Sequence, residues 1–86
     1  QIRFNAAYPN PFNPVTNFEY ELPENSHVEI IVYDMLGTQI SKLRNEHQSA
    51  GIYQMTWNAG SSPSGVYFIK LKAGNEISFQ KVLLVK

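Results

Sequence analysis

An antiparallel all-β sandwich is the fold this sequence predicts, and three observations predict it. No long stretch places apolar residues at helical spacing. Short apolar segments instead alternate with turn signals about every 8–12 residues, the rhythm of a sandwich or barrel. Near the end, two such segments flank Gly74-Asn75, a dipeptide that favours a two-residue hairpin.

Taken in order, a short strand is expected before Tyr8. It is followed by AYPNPFNPVT, Ala7 to Thr16, with three prolines close together. Proline fixes φ near about −65° and biases its predecessor towards extended conformations, so this segment cannot be helix or a central strand. It reads as a stiff joint, with Phe12 free to anchor it by entering the open end of the sandwich. Residues 1–14 are accordingly expected to be a linker and proline-rich lead-in, and residues 15–86 the sandwich itself.

Thr16–Leu22 alternates, with Phe18, Tyr20 and Leu22 on one face and Asn17, Glu19 and Glu21 on the other. Val28–Tyr33 puts Val28, Ile30 and Val32 on one face and Ile31 and Tyr33 on the other, the pattern of a strand covered on both sides. Asp34 and Gly37 occupy the first and fourth positions of a type I turn. Thr38–Leu43 is a weaker strand and RNEHQSAG, 44–51, a polar loop. Ile52–Trp57 places Tyr53, Met55 and Trp57 together, NAGSSPSG is a second loop, and Val66–Ala73 and Glu76–Val85 close the chain. About seven antiparallel strands in so short a chain give an immunoglobulin-like sandwich. Its expected core is Phe18, Tyr20, Val28, Ile30, Val32, Met55, Trp57, Tyr67 and Ile69.

Composition narrows the function. Seven basic and seven acidic residues cancel, which leaves no electrostatic footprint for nucleic acid. The absence of cysteine excludes disulfides and thiolate metal sites. No apolar run reaches the roughly 18 residues of a helical span, so no direct membrane insertion is expected. The opening QIRFNAAYP has neither an initiator Met nor an apolar signal segment, and the chain reads as the C-terminal part of something longer.

Catalytic chemistry finds little footing. Serines, His27, His47 and Asp34 supply the residue types of a hydrolytic triad, but no G-x-S-x-G elbow holds them, and both histidines read as solvated. Glu19 and Glu21 share a strand face roughly 6–7 Å apart, between the separations of retaining and inverting glycosidases; a solvated face opposite Phe18 and Tyr20 is the simpler reading. Trp57, Tyr53, Tyr67 and Phe68 could form a sugar-binding platform, although aromatics of a small sandwich more often fill its core. Pro11–Pro14 satisfies P-x-x-P without a flanking cation. No cofactor, metal or catalytic residue is assigned.

Read in series, YPNPFNP (Tyr8–Pro14), VYDMLGTQI (Val32–Ile40), SAGIYQMTWNA (Ser49–Ala59), PSGVYFIKLKAG (Pro63–Gly74) and QKVLLVK (Gln80–Lys86) resemble the type A C-terminal sorting domain of the type IX secretion system. The layout is also similar to the immunoglobulin-like domain of the flagellar hook-capping protein. The resemblance implies a non-enzymatic signal that ends a larger secreted passenger, often a hydrolase or adhesin of a Gram-negative bacterium. It implies an outer-membrane translocon and a surface transpeptidase as partners, and passage through the periplasm to the cell surface or medium. It matches Pro9, Asn10, Pro11, Phe12, Asn13 and Pro14 to the family's opening motif and Gly37 to its hairpin glycine. Ser64, Gly65 and Tyr67 match its Ser-Gly-x-Tyr element, and Lys81, Val82, Leu83, Leu84, Val85 and Lys86 its C-terminal element. A structural immunoglobulin-like spacer and a carbohydrate-binding module are the alternative readings.

The terminal hairpin holds a conflict. A two-residue turn at Gly74-Asn75 puts Ile77 and Phe79 on the face of Lys70 and Lys72, and Ser78 and Gln80 on the face of Ile69 and Leu71. Either a bulge near Gln80 resets the phase, or Ile77 and Phe79 stay exposed as a docking strip.

Overall fold

Alternation over Val15–Leu22 buries Thr16, Phe18, Tyr20 and Leu22 and turns Asn17, Glu19 and Glu21 outward, which makes this strand one wall of a core. The computed structural model describes residues Gln1–Lys86. Its seven strands are β1 (Arg3–Phe4), β2 (Val15–Leu22), β3 (Ser26–Asp34), β4 (Gln39–Gln48), β5 (Gly51–Asn58), β6 (Gly65–Ala73) and β7 (Glu76–Leu84). They form two antiparallel sheets, β1-β2-β5 and β4-β3-β6-β7, packed as an immunoglobulin-like sandwich. In the constant immunoglobulin arrangement the fourth strand sits beside the fifth; here it lies beside the third.

The core holds the expected Phe18, Tyr20, Val28, Ile30, Val32, Trp57, Tyr67 and Ile69. Met55 is only half-buried, because β5 is an edge strand whose outer flank has no neighbour. Ala7, Phe12, Leu22, Leu71, Val82 and Leu84 complete the core. Aromatic rings knit its two ends. Phe12, Trp57 and Tyr67 lie in series at centroid distances of 5.4 and 5.3 Å, and Phe4 meets Phe18 at 5.5 Å.

The polar stretch 44–51 is not a loop. It forms the second half of β4 and the start of β5, and only Ser49 and Ala50 turn the chain between the sheets. The first half of β4 is the expected weaker strand; its second half escapes the eye because the pairing with β3 slips twice, leaving Leu43 and Ile40 as extra residues. Each slip inverts the in–out phase, so no alternation survives in the sequence. An edge strand also tolerates polar side chains on both faces. The β3–β4 turn is built as expected: Asp34 Oδ1 accepts from the N–H groups of Leu36 and Thr38, and Gly37 takes φ +82°, where a side chain would be strained.

Tyr20 carries a deeply buried phenolic hydroxyl. It donates to Gln48 Oε1 at 2.5 Å and stacks on Tyr53 at 5.4 Å. Burial, partly offset by the Arg44 charge and the Gln48 bond, pushes its pKa above the ordinary 10.0. A raised acid pKa means the folded state holds its proton more tightly than the unfolded chain does. The resulting stability is complete below about pH 10 and is lost as pH rises through the folded value. Tyr20→Phe is expected to cost about 1–3 kcal/mol at neutral pH by leaving Gln48 unpaired. Its deficit relative to the parent should shrink in denaturant titrations above about pH 10. A constant deficit would place the effect elsewhere.

Candidate functional site

The proline-rich segment is built into the sandwich as a strap across one end. Tyr8 exchanges two backbone hydrogen bonds with Asn17 on β2, and the buried Thr16 hydroxyl donates to the Pro9 carbonyl at 2.7 Å. The strap then crosses to the other sheet. Asn10 Nδ2 donates to the Lys81 carbonyl, and Asn10 Oδ1 accepts from Leu83 N–H, at 3.1 and 3.0 Å. Phe12 pairs in parallel with β7, its N–H donating to Leu83 O and its carbonyl accepting from Val85 N–H. The Pro14 carbonyl accepts from Ala59 N–H. Phe12 itself is 2% exposed, lodged against Trp57. Pro9, Pro11, Asn13 and Pro14 remain exposed. The stretch 1–14 thus contributes β1, two core side chains and a staple between the sheets.

Proline suits this role. It donates no backbone hydrogen bond and resists helix, so the chain can follow the end of the sandwich with only selected groups engaged. Phe12→Ala removes the side chain that seats the strap. A loss of about 3 kcal/mol there would raise the population of the opened strap, and cleavage between Asn10 and Asn13, about a hundredfold. Equal cleavage rates for parent and variant would show that the strap is held without Phe12.

The Ser-Gly-x-Tyr element secures the same end. Tyr67 Oη donates back to the Pro63 carbonyl at 2.5 Å, the tyrosine-corner arrangement of immunoglobulin-like domains. Gly65 sits at φ +154°, at the edge of the region that favours glycine. Ser64 Oγ accepts from Lys86 N–H at 3.0 Å, which ties down the last residue. Val82 and Leu84 are fully buried, Lys81 is exposed, and Leu83 and Val85 are 37% and 48% exposed. The opening motif, the Ser-Gly-x-Tyr element and the C-terminal element therefore meet around the end of β7. Gly37 lies apart from them, in the β3–β4 turn.

The β6–β7 ladder runs without a slip from Ala73↔Glu76 to Gly65↔Leu84. No bulge occurs at Gln80, and Ile77 and Phe79 stay outward, 54% and 57% exposed. The inward polar residues have a use that the sequence did not disclose. Gln80 clamps the segment before the strap, Oε1 accepting from Ala7 N–H at 2.8 Å and Nε2 donating to the Asn5 carbonyl. Glu76 Oε2 accepts from Ile2 N–H. The mismatch of polarity on β7 was the signal: a glutamine on an apolar face needs partners there.

On the outer face of the four-stranded sheet, Tyr33, Met35, Phe68, Lys70 and Phe79 line an open groove. Lys70 Nζ stands 5.6 Å from the Tyr33 ring centroid, a cation–π contact. Register also puts Lys42, Lys72 and Lys81 on this face, and none of these four lysines is in an ion pair. Zero net charge thus conceals a basic, aromatic face.

The catalytic candidates are not brought together. Glu19 accepts from the side-chain amides of Asn5 and Gln54, and Glu21 pairs with Arg3 at 3.6 Å. His27 faces His47 across β3–β4 and bonds Asn45. Trp57 and Tyr67 are buried with their rings tilted by 60°, so they form no exposed coplanar platform for a sugar.

A β-sandwich whose elaborated features are a stapled terminal strand and an outward aromatic–lysine face has the build of a recognition domain. The chain belongs to the secretion system C-terminal sorting domain family, whose model matches residues 6–86. That family comprises sorting signals for type IX secretion, and a protein bearing one is secreted or displayed at the cell surface. No curated protein matches the chain.

Proposed function

We propose that this domain is the export address of an upstream passenger, read by the outer-membrane translocon through the terminal hairpin, Gly65 to Ala73 with Ile77 to Lys86. The observation that carries this reading is the outward Ile77–Phe79 pair on a terminal edge strand of a sorting-family domain. Apolar side chains on a strand edge cost solubility, and their retention is explained by a partner that covers them. The domain does no chemistry. It accompanies the passenger through the periplasm, and a surface transpeptidase then removes it and joins the passenger to its anchor. Within this reading, Pro9 to Pro14, Ser64, Gly65 and Tyr67 present β7 in a fixed pose, and Gly37 shapes the tip beside the groove.

The test fuses this chain to a reporter that already reaches the periplasm, in a host with the machinery. Ile77→Ser combined with Phe79→Ser removes side chains that are more than half exposed and outside the core, so the domain should melt within a few degrees of the parent while surface delivery falls at least about tenfold. Undiminished delivery would transfer the recognition role away from this pair and favour a spacer module.

A further inference from the structure

Of the four edge strands of the sandwich, β7 is the one left half open. β1 is two residues long, β4 is broken by two slips, and β5, whose outer flank is also free, carries no charged residue. On β7 the strap takes the outward backbone groups of Lys81, Leu83 and Val85. Alternate residues of an antiparallel strand point their N–H and C=O groups to the same side. The outward groups of Ile77 and Phe79 therefore face away from β6, and nothing in the chain bonds them. Free ladder positions, exposed apolar side chains and unpaired lysines thus coincide on one short edge.

We propose that an extended, carboxylate-bearing segment of a partner protein adds to this edge as a further strand of the β4-β3-β6-β7 sheet. The inference rests on the sorting reading and specifies the chemistry of what is recognised. A backbone is the ligand that matches alternating donors and acceptors; a lipid headgroup is not. Side chains of the added strand opposite Ile77 and Phe79 would be apolar, since cross-strand neighbours on one face stand about 4.5–5.5 Å apart. Acidic residues flanking them would meet Lys81 on the diagonal. Lys70 and Lys72, one strand further in at about 10 Å, reach them by their long stems. Register places Glu29 on this face and Asp34 lines its groove, so the four lysines outnumber the carboxylates and the surplus is positive. Towards the inner side, Glu76 and Gln80 are already engaged by this chain's own Ile2, Asn5 and Ala7, which leaves Ser78 to face a small residue of the added strand.

The probe is the blocked peptide acetyl-Thr-Glu-Thr-Val-Thr-Val-Thr-Glu-Thr-amide, whose pattern is the same in either strand direction. Amide hydrogen exchange of this chain, read by NMR, should slow at least about tenfold at Ile77 and Phe79 when the peptide is added at millimolar concentration. Peptide N-methylated at both valines should give no protection. Replacing its Glu by Lys, or changing Lys70, Lys72 and Lys81 together to Gln, should weaken binding about tenfold or more. Three results would each overturn the proposal: no protection at the two amides, equal protection by the N-methylated peptide, or equal binding of the Lys peptide. Protection by phosphatidylglycerol vesicles but not by the peptide would overturn it in favour of a lipid surface. The reporter assay separates the two claims. A chain that exports its reporter yet gives no protection loses the edge inference alone, and one that binds the peptide yet fails to export loses the sorting reading.

Discussion

Trp57→Ala is expected to destabilise the domain by about 3–5 kcal/mol, a large part of the roughly 5–15 kcal/mol that holds a domain of this kind together. Trp57 is 3% exposed and stands between Phe12 and Tyr67. Its truncation opens a cavity where strap, three-stranded sheet and tyrosine corner converge. The strap should loosen with the core, so cleavage near Asn10 should accelerate together with the fall in melting temperature. A variant that melts within a degree or two of the parent would remove Trp57 from its structural role.

Removal of Lys81–Lys86 should abolish surface delivery of the reporter and leave it in the periplasm. The segment holds the fully buried Val82 and Leu84, the β7 partners of Asn10 and Phe12, and the N–H that Ser64 accepts. Its loss strips two apolar side chains from a small core, about 4 kcal/mol or more by the usual cost of large-to-small changes, and frees the strap as well. The truncated chain should therefore unfold at a lower denaturant concentration and also fail to export. Full surface delivery after this truncation would sink the sorting reading. The Ile77/Phe79 double variant separates recognition from folding, because those side chains face solvent.

The Tyr8 to Pro14 motif and the terminal QKVLLVK read in the sequence as two separate signatures. In the folded domain they are one assembly, since β7 is gripped by β6 on one side and by Asn10 and Phe12 on the other. A change in either should therefore disturb both.

The patterning of Thr16–Leu22, Val28–Tyr33 and Tyr53–Trp57, the Asp34–Gly37 turn and the Gly74-Asn75 turn determined the all-β class, most of the core and the register of the last hairpin. These follow from local rules: alternate side chains on a strand point to opposite faces, and a two-residue turn fixes pairing. The motifs in series also carried the family. Tertiary structure alone decided the rest. The second half of β4 was hidden because two slips erased the strand's alternation, and its polar side chains cost little on an edge. The strap's course depended on hydrogen bonds between residues more than 70 positions apart, such as Asn10 to Lys81 and Ala7 to Gln80, which no local pattern encodes. The conflict on β7 was visible in the sequence, but its resolution was not. Whether Gln80 would force a bulge or keep its place depended on the backbone of Asn5 and Ala7 arriving across the sandwich to satisfy its amide, and with that amide satisfied Ile77 and Phe79 remain in solvent.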